Sequence, residues 1–276
     1  MTDSSAPPKT YILGHDDREL MRLSTQARLV DPATRWFFSE AGVAPGMRVL
    51  DVGSGPGDVA FLVANLVGSS GQVVGADRSA AALVRARERA KARELNNVTF
   101  LDGDPATMAF EKPFDAMVGR WVLMFQPDPG AMLKKLKVHV RPGGVIVFHE
   151  ADWANVRSNP RVPTFEKCCA WLVEALHKGG AHTRGEHLLF RSFLAAGLPA
   201  PKLRTHAVTA GGAGAIEEVR LITDLVRTLS ADIVRHGIAA ADEIDDERLA
   251  ERILAEMTET NSVITHRADV AAWCRV

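Results

Sequence analysis

The sequence predicts an α/β fold built on a doubly wound parallel sheet. Three observations carry that expectation. Apolar strand-like runs alternate with helical stretches five times between residues 47 and 150, with short loops between them, which favours right-handed crossovers. A glycine-rich turn, Gly53-Ser54-Gly55-Pro56-Gly57, joins the first strand to its helix. An acid, Asp77, closes the second strand 24 residues after Gly53. Glycines let a backbone turn sharply and approach a ligand without Cβ atoms in the way. The helix beginning near Gly57 aims its free N–H groups at the same turn. In a βαβ unit the Asp77 spacing sets a carboxylate against ribose hydroxyls. An adenosine-containing cofactor is therefore expected on this turn.

In chain order, residues 1–10 read as a loose tail. From Asp16 to Val30, Leu20, Leu23, Ala27 and Val30 recur at helical spacing. Asp31-Pro32 then reads as an N-cap with proline at the first helical position, starting a second helix that Gly42 ends. Strands are expected at about 47–52, 72–76, 98–101, 114–119 and 145–149, with helices at 57–67, from Ser79 to about Leu95, and from Asp128 to near His139. Arg141-Pro142-Gly143-Gly144 is expected to turn into the fifth strand. The rhythm changes after Glu150: helices at 164–177, 186–196, 216–237 and 246–259, a sixth strand at 203–209 and a seventh at 269–275.

Composition narrows the function classes. With 276 residues, 46% of them hydrophobic, the chain can bury a full α/β core and an added helical element. A formal net charge of −1 gives no global reason to bind nucleic acid or a membrane surface. The N-terminal MTDSSAPPKT lacks an apolar signal core, and no stretch of about 18 apolar residues follows, so a cytoplasmic protein is expected. Cys168, Cys169 and Cys274 lack zinc-ligand spacing and read as small packing residues.

The glycine turn departs from the dinucleotide pattern G-x-G-x-x-G, because its third glycine falls one place early and Asp58 follows. Asp51 precedes the glycines by two residues. Carboxylates beside the turn repel phosphate and suit a cation carrying an ammonium and a sulfonium, the description of S-adenosyl-L-methionine (SAM).

On these residues the chain resembles the class I SAM-dependent methyltransferases, whose glycine motif is [D/E]-x-G-x-G-x-G, and especially the ubiquinone/menaquinone-biosynthesis type and its secondary-metabolism relatives. The Arg141-Pro142-Gly143-Gly144 step adds to the similarity. The resemblance implies a Rossmann-like seven-stranded sheet whose last strand runs antiparallel, with an N-terminal helical lid at 1–45, a SAM-binding core at 46–155, and a helical substrate cover with the last two strands at 156–276. It implies cofactor contacts from Asp51, Gly53, Ser54, Gly55, Gly57, Asp77 and Arg78. Gly103, Asp104, Pro105 and Ala106 would meet the adenine, although Pro105 has no N–H to offer, so that contact shifts to Ala106 or is lost. Gly119 and Arg120 would border the methionine end. The [N/D]-P-P-[Y/F] motif that DNA and glutamine N-methyltransferases carry after the fourth strand is missing, which argues against amide or base nitrogens as acceptors, and no acid stands there to hold magnesium as catechol-type enzymes would need.

Methyl transfer is an in-line displacement from a donor already activated by its charge, so alignment and water exclusion dominate. Where the acceptor must lose a proton, His149, Glu150, Tyr11 and His15 are the candidate bases or closing groups. Side-chain alternation sends His149 and Glu150 to opposite faces of their strand. His177, His182 and His187 lie in a glycine-containing loop at irregular spacing, which suits a pocket mouth better than a metal site. Trp153, Phe165, Trp171 and Phe190 are candidate walls of an aromatic pocket, with the core as the competing place for them. The expected partner is a small organic acceptor, methylated at oxygen, nitrogen or carbon; a homodimer is left open. Two other readings stand beside it: a SAM binder that does not methylate, and an NAD(P)-dependent oxidoreductase.

Overall fold

A computed structural model describes residues 17–244 and 248–276, with the side chains of 17–28 and 213 excepted. In order, the elements of the first half are α1 (Asp17–Ala41), β1 (Arg48–Val52), α2 (Asp58–Val67), β2 (Gln72–Asp77), α3 (Ala80–Ala92), β3 (Val98–Asp102), β4 (Phe114–Arg120), a 3-10 turn at Leu123–Phe125, α4 (Pro129–Leu136) and β5 (Val140–Asp152). The second half adds β6 (Arg157–Asn159), α5 (Pro163–Lys178), α6 (Gly185–Ala195), β7 (Lys202–His206), β8 (Thr209–Gly211), α7 (Ile216–Thr228), α8 (Ser230–Arg235), α9 (Ala241–Ile244), α10 (Leu249–Thr260), β9 (Val263–Thr265) and β10 (Ala268–Arg275).

Seven strands form one sheet in the order β3-β2-β1-β4-β5-β10-β7. The first five run parallel, and β10 lies antiparallel between β5 and β7. Strand order reverses between β1 and β4, and in an open sheet ligands gather at that switch, beyond the carboxyl ends of the strands. Phe37 and Phe38 of α1, with α2 and α3, cover one face; Leu133 and Leu136 of α4 and Leu189 and Phe193 of α6 cover the other. Apolar faces on both sides explain why β1, β4 and β5 read as near-continuous apolar runs rather than alternating ones.

Four expectations need correction. Asp31 does not cap a second helix, because α1 continues through Pro32 to Ala41. Proline deletes a helical N–H, yet packing of the following turn holds the helix together, and Asp31 instead pairs with Arg120 at 2.7 Å. Arg141–Gly144 is not a separate turn before the fifth strand but a bulge within β5: Phe114 faces Val140 and Ala116 already faces Val145. The helix expected over 216–237 breaks into α7 and α8. Finally, the region between the last two strands of the large sheet is not wholly helical, since β8 and β9 join β6 in a second, three-stranded sheet in the order β6-β9-β8. Strands of three residues carry too little pattern to announce themselves. Among the described residues no helix is long and apolar enough to cross a membrane.

Candidate active site

The glycine turn is drawn tight by its own backbone. Gly53 N–H and Ser54 N–H donate to Ala76 O at 2.8 and 3.2 Å, and Gly57 N–H donates to Ser54 O at 2.9 Å. Gly53, Gly55 and Gly57 have φ of 67°, 50° and 96°, the left-handed region that glycine enters freely. A Cβ on Gly53 would meet Val122 at 2.7 Å, whereas one on Gly55 would meet nothing within 4 Å. Gly55 therefore fronts open space at the switch point.

Asp77 does structural work here. Its Oδ2 accepts from Gly55 N–H and its Oδ1 from Ser79 N–H, each at 2.8 Å. Asp58 is not a bare charge beside the turn: Arg89 reaches both its carboxylate, at 2.5 Å, and Pro56 O, at 2.7 Å. That leaves Asp51 as the acid with unspent capacity. It is buried, and neither oxygen makes a hydrogen bond of good geometry. Burial pushes its carboxyl well up; the Arg120 guanidinium and the nearby Ala60 N–H oppose this and Asp77 adds to it. A ligand ammonium arriving there would supply the missing counter-charge. Ser54 Oγ is also buried without a partner. The residues present thus fit a cationic adenosyl ligand.

Around the expected adenine position, Gly103 N–H donates to Asp77 O at 2.9 Å. Asp104 is held by Arg78 at 2.5 Å and accepts from Ala106 N–H at 2.9 Å. The Ala106 N–H is thereby occupied within the turn, and Pro105 is buried. Gly119 has a packing reason for lacking a side chain, since a Cβ would lie 2.4 Å from Phe148.

At the ends of β4, β5 and β10 lies a buried polar cluster. Arg120 Nη1 donates to Asp31 Oδ1 and to Thr34 Oγ1, at 2.7 and 2.9 Å, so it fastens α1 to the sheet. His149 is fully buried, with Nδ1 3.1 Å from Thr34 Oγ1 and Nε2 3.2 Å from Asp269 Oδ1. Burial pulls the imidazole below its usual range, so it is neutral at pH 7, although Asp269 opposes the shift. Arg267 Nη1 donates to the same Asp269 oxygen at 2.6 Å. Glu150, on the opposite face of β5, accepts from the N–H groups of Val122, Leu123 and Met124 at 3.1, 2.8 and 3.4 Å. It caps the 3-10 turn that carries Val122 against Gly53. Burial pushes its carboxyl up to about 8, and those three N–H groups only partly offset it.

A pH effect follows. Glu150 has a folded-state pKa above its unfolded one, so its contribution is full at low pH and is lost as pH rises towards 8. His149 and His266, both held down chiefly by burial, act in the opposite sense as their unfolded forms lose protons near pH 6.5, while Asp51, pushed up by burial, acts in the same sense as Glu150. In urea titrations the Glu150 part should fall by about 2 kcal/mol between pH 6.5 and 8. Glu150→Gln, which keeps an acceptor for Val122 and Leu123, should flatten that fall; an unchanged slope would refute the assignment.

Some expected neighbours are brought together and others are not. Trp153, Phe165 and Trp171 share a buried cluster under the helical cover, while Phe190 is exposed on α6. His182 Nε2 lies 3.1 Å from Gln126 O, and no cluster of metal-ligating side chains occurs among the described residues. All three cysteines are free and buried. Tyr11 and His15 lie outside the described residues. The sequence reading missed Thr34, Arg267 and Asp269, and gave Asp31 a capping role. His266-Arg267-Ala268-Asp269, charged residues entering an otherwise apolar strand, was the available signal.

Residues 44–183 match the family model described as a methyltransferase domain. The chain is 40% identical over 115 residues to the 2-phytyl-1,4-naphtoquinone methyltransferase of Synechococcus elongatus, covering 40% of this chain and 47% of that one. It is 33% identical over 132 residues to the demethylmenaquinone methyltransferase of Staphylococcus aureus, covering 48% and 52%. The chain thus spans about half the length of these curated relatives. Among solved structures, geranyl diphosphate methyltransferase in complex with SAM superposes with a TM-score of 0.56 at 14% identity, over 96% of this chain and 94% of that one. The [4+2]-cyclase SpnF gives 0.52 at 21% identity, over 89% and 82%. These two likenesses show the fold. With half the chain matched by the family model and the glycine turn, Asp77 and the antiparallel last strand in place, the chain belongs to the methyltransferase-domain family.

Proposed function

We propose that this protein transfers the methyl group of SAM to a small organic acceptor by in-line displacement. The carrying observation is Asp51, a buried carboxyl without a hydrogen-bond partner of good geometry behind a turn that opens at Gly55. SAM, when bound, supplies a methyl group on a sulfonium. The chain supplies the Asp51 carboxylate for the ammonium, Asp77 for the ribose, and the tightened turn for close approach. The names of the curated relatives point to quinone-type rings as acceptors, and we carry a planar ring acceptor over to this chain. His149 and Glu150 are fully buried and already engaged, which favours positioning roles for both and catalysis by alignment and exclusion of water. Tyr11 and His15 stand as the groups that close over the acceptor, residues 1–45 as lid, 46–155 as cofactor core and 156–276 as substrate cover. We place the protein in the cytoplasm, acting in small-molecule metabolism without a nucleic-acid or membrane partner; a homodimer is compatible with this reading.

Calorimetry tests the proposal. Because burial pushes the Asp51 carboxyl up and an arriving ammonium would draw it down again, SAM binding should be accompanied by proton release from this group, read from titrations in buffers of different ionisation enthalpy. Asp51→Asn should abolish the release. Absence of SAM binding, or NADH binding in its place, would overturn the reading. Release of S-adenosylhomocysteine in the presence of acceptor separates methyl transfer from non-methylating use of the same site.

A further inference from the structure

Two hydrogen-bond donors beside the glycine turn have no partner among the described residues. Arg267 is 2% exposed, and while Nη1 is spent on Asp269, Nη2 has no partner among the described residues. The indole Nε1 of Trp121 is likewise buried and unpartnered. The two are adjacent, with the Arg267 guanidinium 4.9 Å from the centre of the Trp121 ring and that of Arg120 at 5.0 Å. Both sit at the carboxyl end of the parallel strands. Val122, the next residue after Trp121, is the side chain that a Cβ on Gly53 would strike, so the pair borders the cofactor turn directly.

The backbone reinforces this. Trp121 holds φ of 56°, a region that disfavours bulky residues and, where it persists, clusters at ligand clamps. Its N–H donates to His149 O at 2.9 Å, which fixes the turn. A buried cationic N–H without an acceptor is among the costlier defects a fold can carry. One cationic donor on Arg267 and one neutral donor on the neighbouring Trp121 ring suit an acceptor group bearing negative charge, because a charge-assisted bond to guanidinium outweighs a neutral one.

We propose that Arg267 Nη2 and Trp121 Nε1 form the docking point for an oxyanion, a carboxylate or a phenolate, carried by the methyl acceptor. The proposal rests on the methyltransferase reading and names the charge of its substrate. Bound there, the oxyanion fixes the ring against the end of β4, one residue from Val122, which lies against Gly53. His149, neutral and already 3.2 Å from Asp269, keeps that carboxylate turned towards Arg267 Nη1 and leaves Nη2 for the ligand.

The test uses protein saturated with S-adenosylhomocysteine, titrated calorimetrically with 1-hydroxy-2-naphthoate, 4-nitro-1-naphtholate and the uncharged methyl 1-hydroxy-2-naphthoate. The naphthalene ring follows the names of the curated relatives. At least one anion should bind roughly tenfold to a hundredfold tighter than the ester; which of the two does so identifies the oxyanion as carboxylate or phenolate. Arg267→Met should bring the anion to the ester's affinity while leaving S-adenosylhomocysteine affinity unchanged. Trp121→Phe, which keeps the ring and removes only the N–H, should weaken the anion by about tenfold and carries the test alone if Arg267→Met does not fold. Equal binding of anion and ester means that a water fills the place and overturns the proposal, as does a preference that survives the substitutions, or binding of none of the three. Loss of S-adenosylhomocysteine affinity in Arg267→Met overturns it too, by assigning the arginine to the cofactor's own carboxylate. Wild-type protein that fails to bind S-adenosylhomocysteine refutes instead the reading on which the proposal rests.

Discussion

Replacing Asp77 by alanine is expected to weaken SAM binding by about a hundredfold or more. The carboxylate accepts from two backbone N–H groups at once, Gly55 on the cofactor turn and Ser79 at the start of α3, at 2.8 Å each. Hydrogen bonds to a charged group contribute about 1.5–3 kcal/mol apiece. Losing them frees Gly55, whose positive φ and open surroundings leave little else to hold it, so the turn loses its bound-like shape before any ribose contact is counted. Asp77→Asn keeps an acceptor for one of the two donors and should fall between alanine and wild type. Calorimetric titration decides the matter: an alanine variant within about threefold of wild type would refute both the brace and the sugar contact.

Asp269→Ala is expected to cost about 3–5 kcal/mol of folding stability, measured by urea unfolding at pH 7. Burial alone would push this carboxyl up, but the Arg267 guanidinium, with His149 next, more than offsets it and holds the carboxyl well below the usual carboxylate range. A group whose folded pKa lies below its unfolded one stabilises above the unfolded value and loses that contribution as pH falls through the folded one. The cost of Asp269→Ala should therefore be full at pH 7 and shrink below about pH 3.9. Most of it reflects the stranded Arg267, because a buried pair contributes little net. Combining Asp269→Ala with Arg267→Met should accordingly recover much of the loss; a double variant as unstable as the sum of the singles would disprove the coupling.

The cofactor half of the site was legible because its chemistry is local. A turn that needs positive φ selects Gly53, Gly55 and Gly57, and the βαβ spacing places Asp77, all within one unit of the chain. The buried polar cluster at the ends of β4, β5 and β10 was not, because Asp31, Thr34, Arg120, His149 and Asp269 meet across separations no periodicity records. Pro32 misled for a related reason: its local preference for a helix start lost to the ion pair and packing that hold α1 over β5 and β10. The bulge at Arg141–Gly144 shows the reverse case, a strong turn signal absorbed inside a strand that pairs on both sides of it.

The antiparallel insertion of β10 bears on how the protein emerges from the ribosome. Residues 48–152 hold five parallel strands and their own crossovers, enough to assemble while synthesis continues. The outer edge of β5 must then wait for partners as distant in sequence as Asp152 and Ala268. During that interval a hydrophobic strand edge stands open to neighbouring nascent chains, and the imidazole of His149 has no carboxylate to meet. Ordering of the polar cluster around His149 therefore waits on this long-range pairing, set by contact order rather than by local propensity.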